Sequence, residues 1–290
     1  MATDTLIAVE PTIAVAAPAE KAQRRILRRT VRIVGRTVWK SAAIGLFALL
    51  WEFGPRYLLD PSTRVFLPPL HEDLQAWWHL ARTGALSDHL RASLGRSAIG
   101  FGIAIAAAVP LGLLLAWYRL LADFLNPLLE LFRNTAALAL LPVFTLLLGI
   151  GETSKIAIVT YAAFFPVLLN TMAGVKTVDP LLIRAARTLG LDSPRLFAKV
   201  ILPAAVPTIF TGIRMAGAAS ILVLIAAEMA GAKAGLGYLI VNDQNSFLYP
   251  EMYAGILTIA GLGLVINFAL VRLERHFSRW NPQNTSGGTA

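Results

Sequence analysis

Four stretches of this chain contain no charged residue, and each is close to the length that crosses a lipid bilayer. They are residues 97–117, 134–151, 156–175 and 252–271. A helix needs about 20 mostly apolar residues to cross the roughly 30 Å hydrocarbon core. Hydrophobic residues make up 56% of the chain and charged residues only 15%, whereas soluble domains carry about a quarter charged residues. This pattern excludes an ordinary water-soluble fold.

Two further windows complete a predicted set of six spans. Residues 204–227 contain Arg214 as their only charged residue, and residues 41–59 contain Glu52 and Arg56. Because backbone amides and carbonyls find no water in lipid, all six spans are expected to be helices. The predicted fold class is an all-α integral membrane protein with one membrane domain over residues 41–280.

Both ends of the chain are predicted to be cytoplasmic. Residues 1–20 and 281–290 are expected to be disordered tails, and the first lacks the pattern of a signal peptide. Residues 21–40 contain eight Lys and Arg with apolar residues at helical spacing between them, which predicts an amphipathic helix on anionic lipid. Nucleic-acid binding by this basic run is the alternative, and we expect lipid and no nucleic acid. Six spans place 17 cations in cytoplasmic segments and seven outside, in agreement with the positive-inside rule.

Two segments outside the spans carry their own signals. Residues 70–80 place Leu74, Trp77 and Trp78 on one side of a predicted interfacial helix. Residues 231–249 contain Gly235 and Gly237, which allow tight turns, and they predict a short outer helix or gate.

The segment over residues 176–203 lies between the fourth and fifth spans, on the cytoplasmic side. Asp179 and Pro180 predict a helix start, and Gly190 predicts a left-handed end of that helix. Ser193 and Pro194 predict the start of a second short helix. The apolar face of the first helix is formed by Leu182, Ala185, Ala186 and Leu189, flanked by Arg184 and Arg187. The alternative role for this face is simple contact with the bilayer surface.

These residues resemble the signature of importer-type ABC transporter membrane subunits: E-A-A, three residues, G, nine residues, then I-x-L-P. The chain has Arg184-Ala185-Ala186, then Gly190, then Val200-Ile201-Leu202-Pro203 at that spacing. The stretches "GIGETSKI", "AGLGYLI" and "RWNP" are similar to permeases of the sulfonate, taurine and nitrate uptake group. The resemblance extends from about residue 38 to residue 282.

The resemblance implies that residues 176–203 form the coupling helix, which docks in a groove of a cytoplasmic ATPase subunit. The residues that it implicates are Leu182, Arg184, Ala185, Ala186, Leu189, Gly190, Asp192, Ser193, Pro194 and Pro203. Arg184 departs from the acidic residue of the signature. An arginine requires an acid or a carbonyl group on the partner instead.

The resemblance also implies the partners. They are two copies of the ATPase subunit, a second permease copy that makes a homodimer, and a periplasmic binding protein, all at a bacterial inner membrane. No G-x-x-x-x-G-K-[ST] motif occurs in the chain, so the permease is expected to lack ATPase activity, cofactor and metal of its own. ATP and Mg would be bound by the partner ATPase. The implied solute is a small anion such as an aliphatic sulfonate or taurine, with nitrate, bicarbonate or an aromatic carboxylate as alternatives.

Charged groups within the membrane are candidates for the translocation path, because they are costly there. Glu130 and Arg133 share a helical face, and a third span that begins near residue 124 would place Arg133 about 14 Å along it. Arg133 could attract an anion, or it could pair with Glu130 for packing only. The predicted path residues are Glu130, Arg133, Asn134, Ser220 and Glu228. For Glu228, as for Arg214, snorkelling towards the membrane surface or structural pairing is the alternative.

Small residues on the fifth span predict a close helix contact. Gly212, Ala216 and Gly217, followed by Ser220, let a neighbouring helix approach. We expect them at a dimer or pore seam.

Two other classes of function are weighed against the permease. A self-sufficient secondary transporter or channel would favour internal repeats, and none is recognised between the two halves. A membrane enzyme would need a metal cluster or a nucleophile–base pair. The four histidines, His71, His79, His89 and His276, all lie outside the predicted spans and form no such pattern.

Overall fold

In the computed structural model, every regular element of the described part of the chain is a helix. The structure describes residues 42–57 and 59–277. The predicted tails over 1–20 and 281–290 and the predicted basic helix over 21–40 therefore lie outside the described residues. Their predictions stay untested.

The chain divides into two compact units, Met1–Arg64 and Val65–Ala290. In the first unit, residues 42–57 form helix α1, and helix α2 covers Pro61–Arg64. Within α1 the carboxylate of Glu52 lies 3.5 Å from the guanidinium of Arg56. The described part of α1 is shorter than the roughly 20 residues of a straight span.

The second unit contains the long helices. Its elements in chain order are α3 (Leu70–Thr83), α4 (Ala85–Trp117), α5 (Arg119–Arg133), a 3₁₀ turn (Ala137–Leu140), α6 (Leu141–Leu148), α7 (Glu152–Lys176), α8 (Pro180–Thr188), α9 (Ser193–Leu196), a π-helical segment (Phe197–Ile201), α10 (Leu202–Met229), α11 (Leu236–Asn245) and α12 (Tyr249–Phe277).

Helices α4, α7 and α10 form the centre of this unit, and glycines set their contacts. A Cβ atom on Gly100 would lie 2.8 Å from the carbonyl oxygen of Ile156, and one on Gly112 would lie 2.8 Å from Thr171. The later residue of α4 contacts the later residue of α7, so the two helices are parallel. A Cβ on Gly174 would lie 3.0 Å from the carbonyl oxygen of Ala205. Gly212, further along α10, lies against Pro166 and Asn170, which precede Gly174 on α7. Helix α10 is therefore antiparallel to α7.

The remaining helices pack around this centre. The indole of Trp77 on α3 donates a 3.0 Å hydrogen bond to the hydroxyl of Thr258 on α12. Leu86, Leu236 and Leu239 form a buried apolar cluster that joins α4 to α11. The prediction of helices over residues 70–80 and within residues 231–249 is thus confirmed as α3 and α11.

Four of the six predicted spans are long apolar helices in the described residues. They are Ala85–Trp117, Glu152–Lys176, Ser193–Met229 and Tyr249–Phe277. The third predicted span is a bent pair, because Arg119–Arg133 and Ala137–Leu148 meet at 86°. The structure therefore supports four spans, or five if the bent pair counts as one, and the prediction of six is not confirmed.

The bend corrects the predicted position of Arg133. We expected this residue in the middle of a straight third span, but α5 ends at Arg133. Asn134 follows as its C-terminal cap, and Ala136 has an extended backbone with φ −61° and ψ 125°. Arg133 therefore lies at a helix break, where the chain changes direction.

Candidate functional site

The segment between α7 and α10 has the local structure that its sequence predicts. The side chain of Asp179 accepts a 2.8 Å hydrogen bond from the amide of Leu181, and Pro180 occupies the first turn of α8. Gly190 ends the turn after α8 with φ +79°, a conformation that favours glycine. Ser193 begins α9. We call residues 179–196 the coupling segment, after the role that the resemblance implies for them.

A small buried cluster fixes the coupling segment to the ends of α7 and α10. Val178, Ala186, Leu196 and Ile201 are buried together. This corrects the predicted face, because Ala186 points into the cluster while Leu182, Ala185 and Leu189 are exposed. Leu182 is 51% exposed and Leu189 is 80% exposed, so leucine side chains project from a segment that is itself anchored.

Charged groups flank these exposed leucines. Arg184 and Arg187 are exposed, and no ion pair to either is found among the described residues. Asp192 lies 3.6 Å from Arg195 within α9. Beyond α9, the ring of Phe197 makes an edge contact with Trp117 of α4 at 4.9 Å, which connects the coupling segment to the central helices. Pro203 lies in the first turn of α10.

A second feature is an open cavity of about 580 Å³ beside the break after α5. The break contributes Arg133, Asn134 and Thr135, and α10 contributes Met215, Ala219 and Val223 at four-residue intervals. Helix α7 contributes Tyr161, Phe165 and Asn170, among others. Arg133 lies 3.6 Å from Glu130, and both side chains are substantially exposed.

The predicted path residues do not all meet at this cavity. Arg133 and Asn134 line it, and Glu130 neighbours it through Arg133. Ser220 is buried and donates to the carbonyl of Gly217 at 2.9 Å. Glu228 is buried at the far end of α10, among other charges. The prediction that Ser220 and Glu228 line a path with Arg133 is therefore corrected, since both are enclosed by helices of the same chain.

The predicted seam residues are also enclosed within the chain. A Cβ on Gly212 would lie 2.5 Å from Cβ of Asn170, and one on Gly217 would lie 2.5 Å from Leu270. Ala216 is fully buried against α4 and α7. The close approach that these small residues allow is between helices of one chain, whereas we expected them at a dimer or pore seam.

A third feature is a set of buried charges at the end of the central helices opposite to the coupling segment. Nη1 of Arg96 on α4 donates to the carboxylate of Glu228 on α10 at 2.6 Å. The same guanidinium forms a two-point contact with Glu152 at the start of α7, through Nε and through Nη2 at 2.7 Å. Ser93 donates to Glu228 at 2.8 Å. We call Ser93, Arg96, Glu152, Lys155 and Glu228 the ion network.

The ion network and its neighbour His89 hold the backbone that connects α10 to α11. Side chains form hydrogen bonds with five backbone groups of residues 231–237. Lys155 donates to the carbonyl of Gly231 at 3.2 Å, and Arg96 donates to that of Ala234 at 2.7 Å. The amide of Gly235 donates to His89 at 3.1 Å, that of Leu236 to Ser93 at 2.9 Å, and that of Gly237 to Glu228 at 3.0 Å. A backbone held in this way leaves few unsatisfied groups near the centre of the fold.

Sequence reasoning missed most of the ion network. It named Glu228 as a site residue and gave no site role to Ser93, Arg96, Glu152 or Lys155. A signal was available, because Glu228 is followed at short range by Gly235 and Gly237, and only glycines let a carboxylate approach the backbone so closely. In the described residues no cluster of His, Asp and Glu could hold a metal ion.

Comparisons with known proteins agree with the resemblance that the coupling segment carries. Residues 108–281 match the family described as binding-protein-dependent transport system inner membrane component. In Escherichia coli K12, the taurine transport system permease protein TauC is 33% identical over 83% of this chain and 90% of its own. An E. coli K12 permease named for aliphatic sulfonates transport, SsuC, is 37% identical over 76% and 84%. The nitrate import permease protein NrtB of Leptolyngbya laminosa is 30% identical over 81% and 87%.

The solved structures agree at the level of the fold. An inward-facing structure of the MetNI methionine ABC transporter matches with a TM-score of 0.57 and 18% identity, over 76% of this chain and 99% of the solved chain. That identity is too low to transfer more than the fold. With a family match over residues 108–281 and relatives above 30% identity across most of its length, this chain belongs to the binding-protein-dependent family of ABC transporter permeases.

Proposed function

We propose that the chain is the membrane subunit of an ATP-driven importer and that it forms the translocation path for a small anionic solute. Family membership supports the role of permease. The chain has no nucleotide-binding motif in its sequence, so ATP and Mg would bind to a separate ATPase subunit. The solute would be delivered by a periplasmic binding protein, in keeping with the family's description.

The coupling segment is the observation that carries this proposal. Its exposed leucines project together with Arg184 and Arg187, which form no ion pair within residues 42–57 and 59–277, while Ala186 and Leu196 anchor the segment in a buried cluster. A projecting apolar surface flanked by charge is typical of a protein interface. We propose that it docks on the ATPase subunit and that the buried cluster transmits movement to α7 and α10.

The cavity beside Arg133 is the proposed translocation path. A guanidinium offers five N–H donors to an anion, and Asn134 places an amide beside it. Tyr161, Phe165 and Met215 supply apolar walls. Because the named relatives are permeases for taurine, aliphatic sulfonates and nitrate, we propose an aliphatic sulfonate or taurine first, with nitrate, bicarbonate or an aromatic carboxylate as alternatives.

The proposed assembly contains two permease copies and two ATPase copies at a bacterial inner membrane, with both termini in the cytoplasm. The cavity beside Arg133 is not enclosed by this chain alone, which fits a path completed by a second copy. The positive charge of the coupling segment fits a cytoplasmic location.

The test is to co-express the chain with its ATPase subunit and to reconstitute the purified complex with its binding protein. We expect stable co-purification and ATP hydrolysis that is stimulated by one class of anion. Measuring hydrolysis with taurine, an alkanesulfonate, nitrate, bicarbonate and benzoate separates the solutes. Solute flux by the chain alone in vesicles would contradict the proposal and favour a secondary transporter or channel.

A further inference from the structure

The ion network joins three central helices at one end of the bundle. Arg96 comes from the first third of α4, Glu152 and Lys155 from the first turn of α7, and Glu228 from the last turn of α10. Since α4 and α7 are parallel and α10 is antiparallel to them, these residues meet at one level. The coupling segment follows α7 and precedes α10, so it lies at the other end.

The network is electrically balanced, which makes its burial tolerable. Arg96 and Lys155 supply two cations, and Glu152 and Glu228 supply two carboxylates. The side chain of Arg96 is 5% exposed and that of Glu228 is fully buried, whereas Glu152 is 66% exposed. Removing one member of a buried pair leaves an uncompensated charge, which typically costs several kcal/mol. Separating these charges in every transport cycle would therefore require a large free energy.

The same side chains determine the course of the connection between α10 and α11. A Cβ on Gly235 would lie 2.4 Å from the carboxylate of Glu228, and one on Gly237 would lie 2.3 Å from the carbonyl oxygen of Ile225. Gly235 also has φ +122°. The connection is thus wrapped around the Glu228 carboxylate and cannot shift without breaking contacts to α4, α7 and α10 together.

From this geometry we propose that Arg96 and Glu228 are positioning residues for transport: they keep the far ends of α4, α7, α10 and residues 231–237 together as one body throughout the cycle. Movement that enters at the coupling segment then tilts this body as a whole instead of opening the α10–α11 connection. This inference rests on the proposed function, since it concerns the movement that would open the path.

Distances between spin labels test the inference directly. The chain contains no cysteine, so labels attach only at introduced thiols. Arg91→Cys on α4 and Lys233→Cys in the connection are both at exposed positions outside the ion network. Double electron–electron resonance on the full complex should give the same narrow distance in the nucleotide-free and ATP-trapped states. A change between states larger than one helical turn, about 5 Å, would overturn the inference.

Variants provide a second test with a matched control. Arg96→Gln should reduce uptake per ATP hydrolysed about tenfold and broaden the label distance, while ATPase subunits stay bound. Arg91→Gln, made in the unlabelled chain, removes an equal charge from the exposed side of α4 and should leave uptake per ATP hydrolysed unchanged. Arg96→Lys keeps the charge and should recover part of the coupling. A purely structural role would instead lower assembly, hydrolysis and uptake in proportion.

Two features keep the test informative. If Arg96→Gln fails to assemble, Ser93→Ala takes its place, because it removes only the hydroxyl that bridges Glu228 and the amide of Leu236. The distance measurement between the two spin labels needs no change in the ion network. Absence of anion-stimulated hydrolysis in the unmodified complex would contradict the proposed function. Normal stimulation with wild-type coupling in Arg96→Gln and Ser93→Ala would contradict this inference alone.

Discussion

At the scale of single residues, Asp243 is a carboxylate in surroundings that disfavour its charge. It lies on α11, and it is buried with one carboxylate oxygen that has no hydrogen-bond partner among the described residues. Burial raises the pKa of Asp243, the hydrogen bond from Asn242 opposes that shift, and the charge of Glu251 adds to it. The folded state therefore favours the protonated acid.

Because its pKa is raised on folding, Asp243 stabilises the protein only when protonated. Its contribution is fully present below the pKa of an unfolded aspartate, near ~3.9, and is lost as pH rises through the folded pKa. We expect Asp243→Asn to raise the melting temperature in detergent at neutral pH, because the amide is uncharged. The increase should shrink as pH falls towards that of an unfolded aspartate.

The control is Asp123→Asn, which removes an exposed carboxylate from α5 and should change the melting temperature little at any pH. A lower melting temperature for Asp243→Asn at neutral pH would show that the carboxylate is a favourable ionised partner in the fold.

Gly235 and Gly237 show how far single residues allow prediction from the sequence. The glycines at 235 and 237 predict tight turns, and the left-handed φ of Gly235 confirms one of them. That Arg96 pairs with Glu228 could not be predicted, because the two residues are 132 positions apart in the sequence. Pairing across such a separation depends on how helices pack, and a single sequence does not contain that information.

At the scale of elements, α8 and α5 represent the two extremes of predictability. Caps act within a few residues, so Asp179, Pro180 and Gly190 determine the bounds of α8 locally. The break after Arg133 carries no comparable signal: Asn134 and Thr135 follow it, and the apolar pattern continues into α6. An uninterrupted apolar run indicates burial or lipid contact, but it does not reveal a bend of 86°.

The end of α8 gives a prediction for coupling. Gly190 has φ +79°, and a Cβ atom there would meet no other atom within 4 Å. Substitution is therefore opposed by the backbone alone, by about 1–2 kcal/mol or more for a β-branched residue. We expect Gly190→Val to weaken retention of the ATPase subunit about tenfold, measured by co-purification and by anion-stimulated hydrolysis.

Gly190→Asn is the matched control, because asparagine tolerates the left-handed conformation. It should retain the ATPase subunit nearly as well as the unmodified chain. Equal loss in both variants would indicate that a side chain at this position obstructs the interface, and would contradict a role for the backbone turn.

At the scale of the whole molecule, the apolar windows predicted an all-helical membrane fold correctly, and four of them correspond to long helices. The packing of those helices against one another was harder to predict from the sequence. Gly212, Ala216 and Gly217 were predicted at a dimer or pore seam, and in the structure they pack α10 against helices of the same chain. Small residues predict that another helix approaches closely, but they do not indicate which helix it is.

The cavity beside Arg133 gives a prediction about transport by the complete assembly. The Glu130–Arg133 pair is exposed and 3.6 Å apart, and such pairs contribute little to stability. Arg133→Ala should therefore reduce anion uptake about tenfold, the equivalent of ~1.4 kcal/mol, without releasing the ATPase subunit. Uptake by proteoliposomes and the subunit ratio are the two measurements.

Arg133→Lys retains the charge and should preserve more uptake than Arg133→Ala. If Arg133→Ala dissociates the ATPase while uptake per assembled complex is unchanged, the cavity is not the path, and Arg133 serves assembly instead.

The unbroken helical stretch Ser193–Met229 spans 37 residues, or about 55 Å at ~1.5 Å per residue. Held at Glu228, this stretch would pivot there, and its free end carries the coupling segment, which we propose docks on the ATPase subunit. Over that length, a tilt of about 10° moves the free end by roughly 10 Å. A modest rotation about Glu228 would thus correspond to a large displacement of the coupling segment.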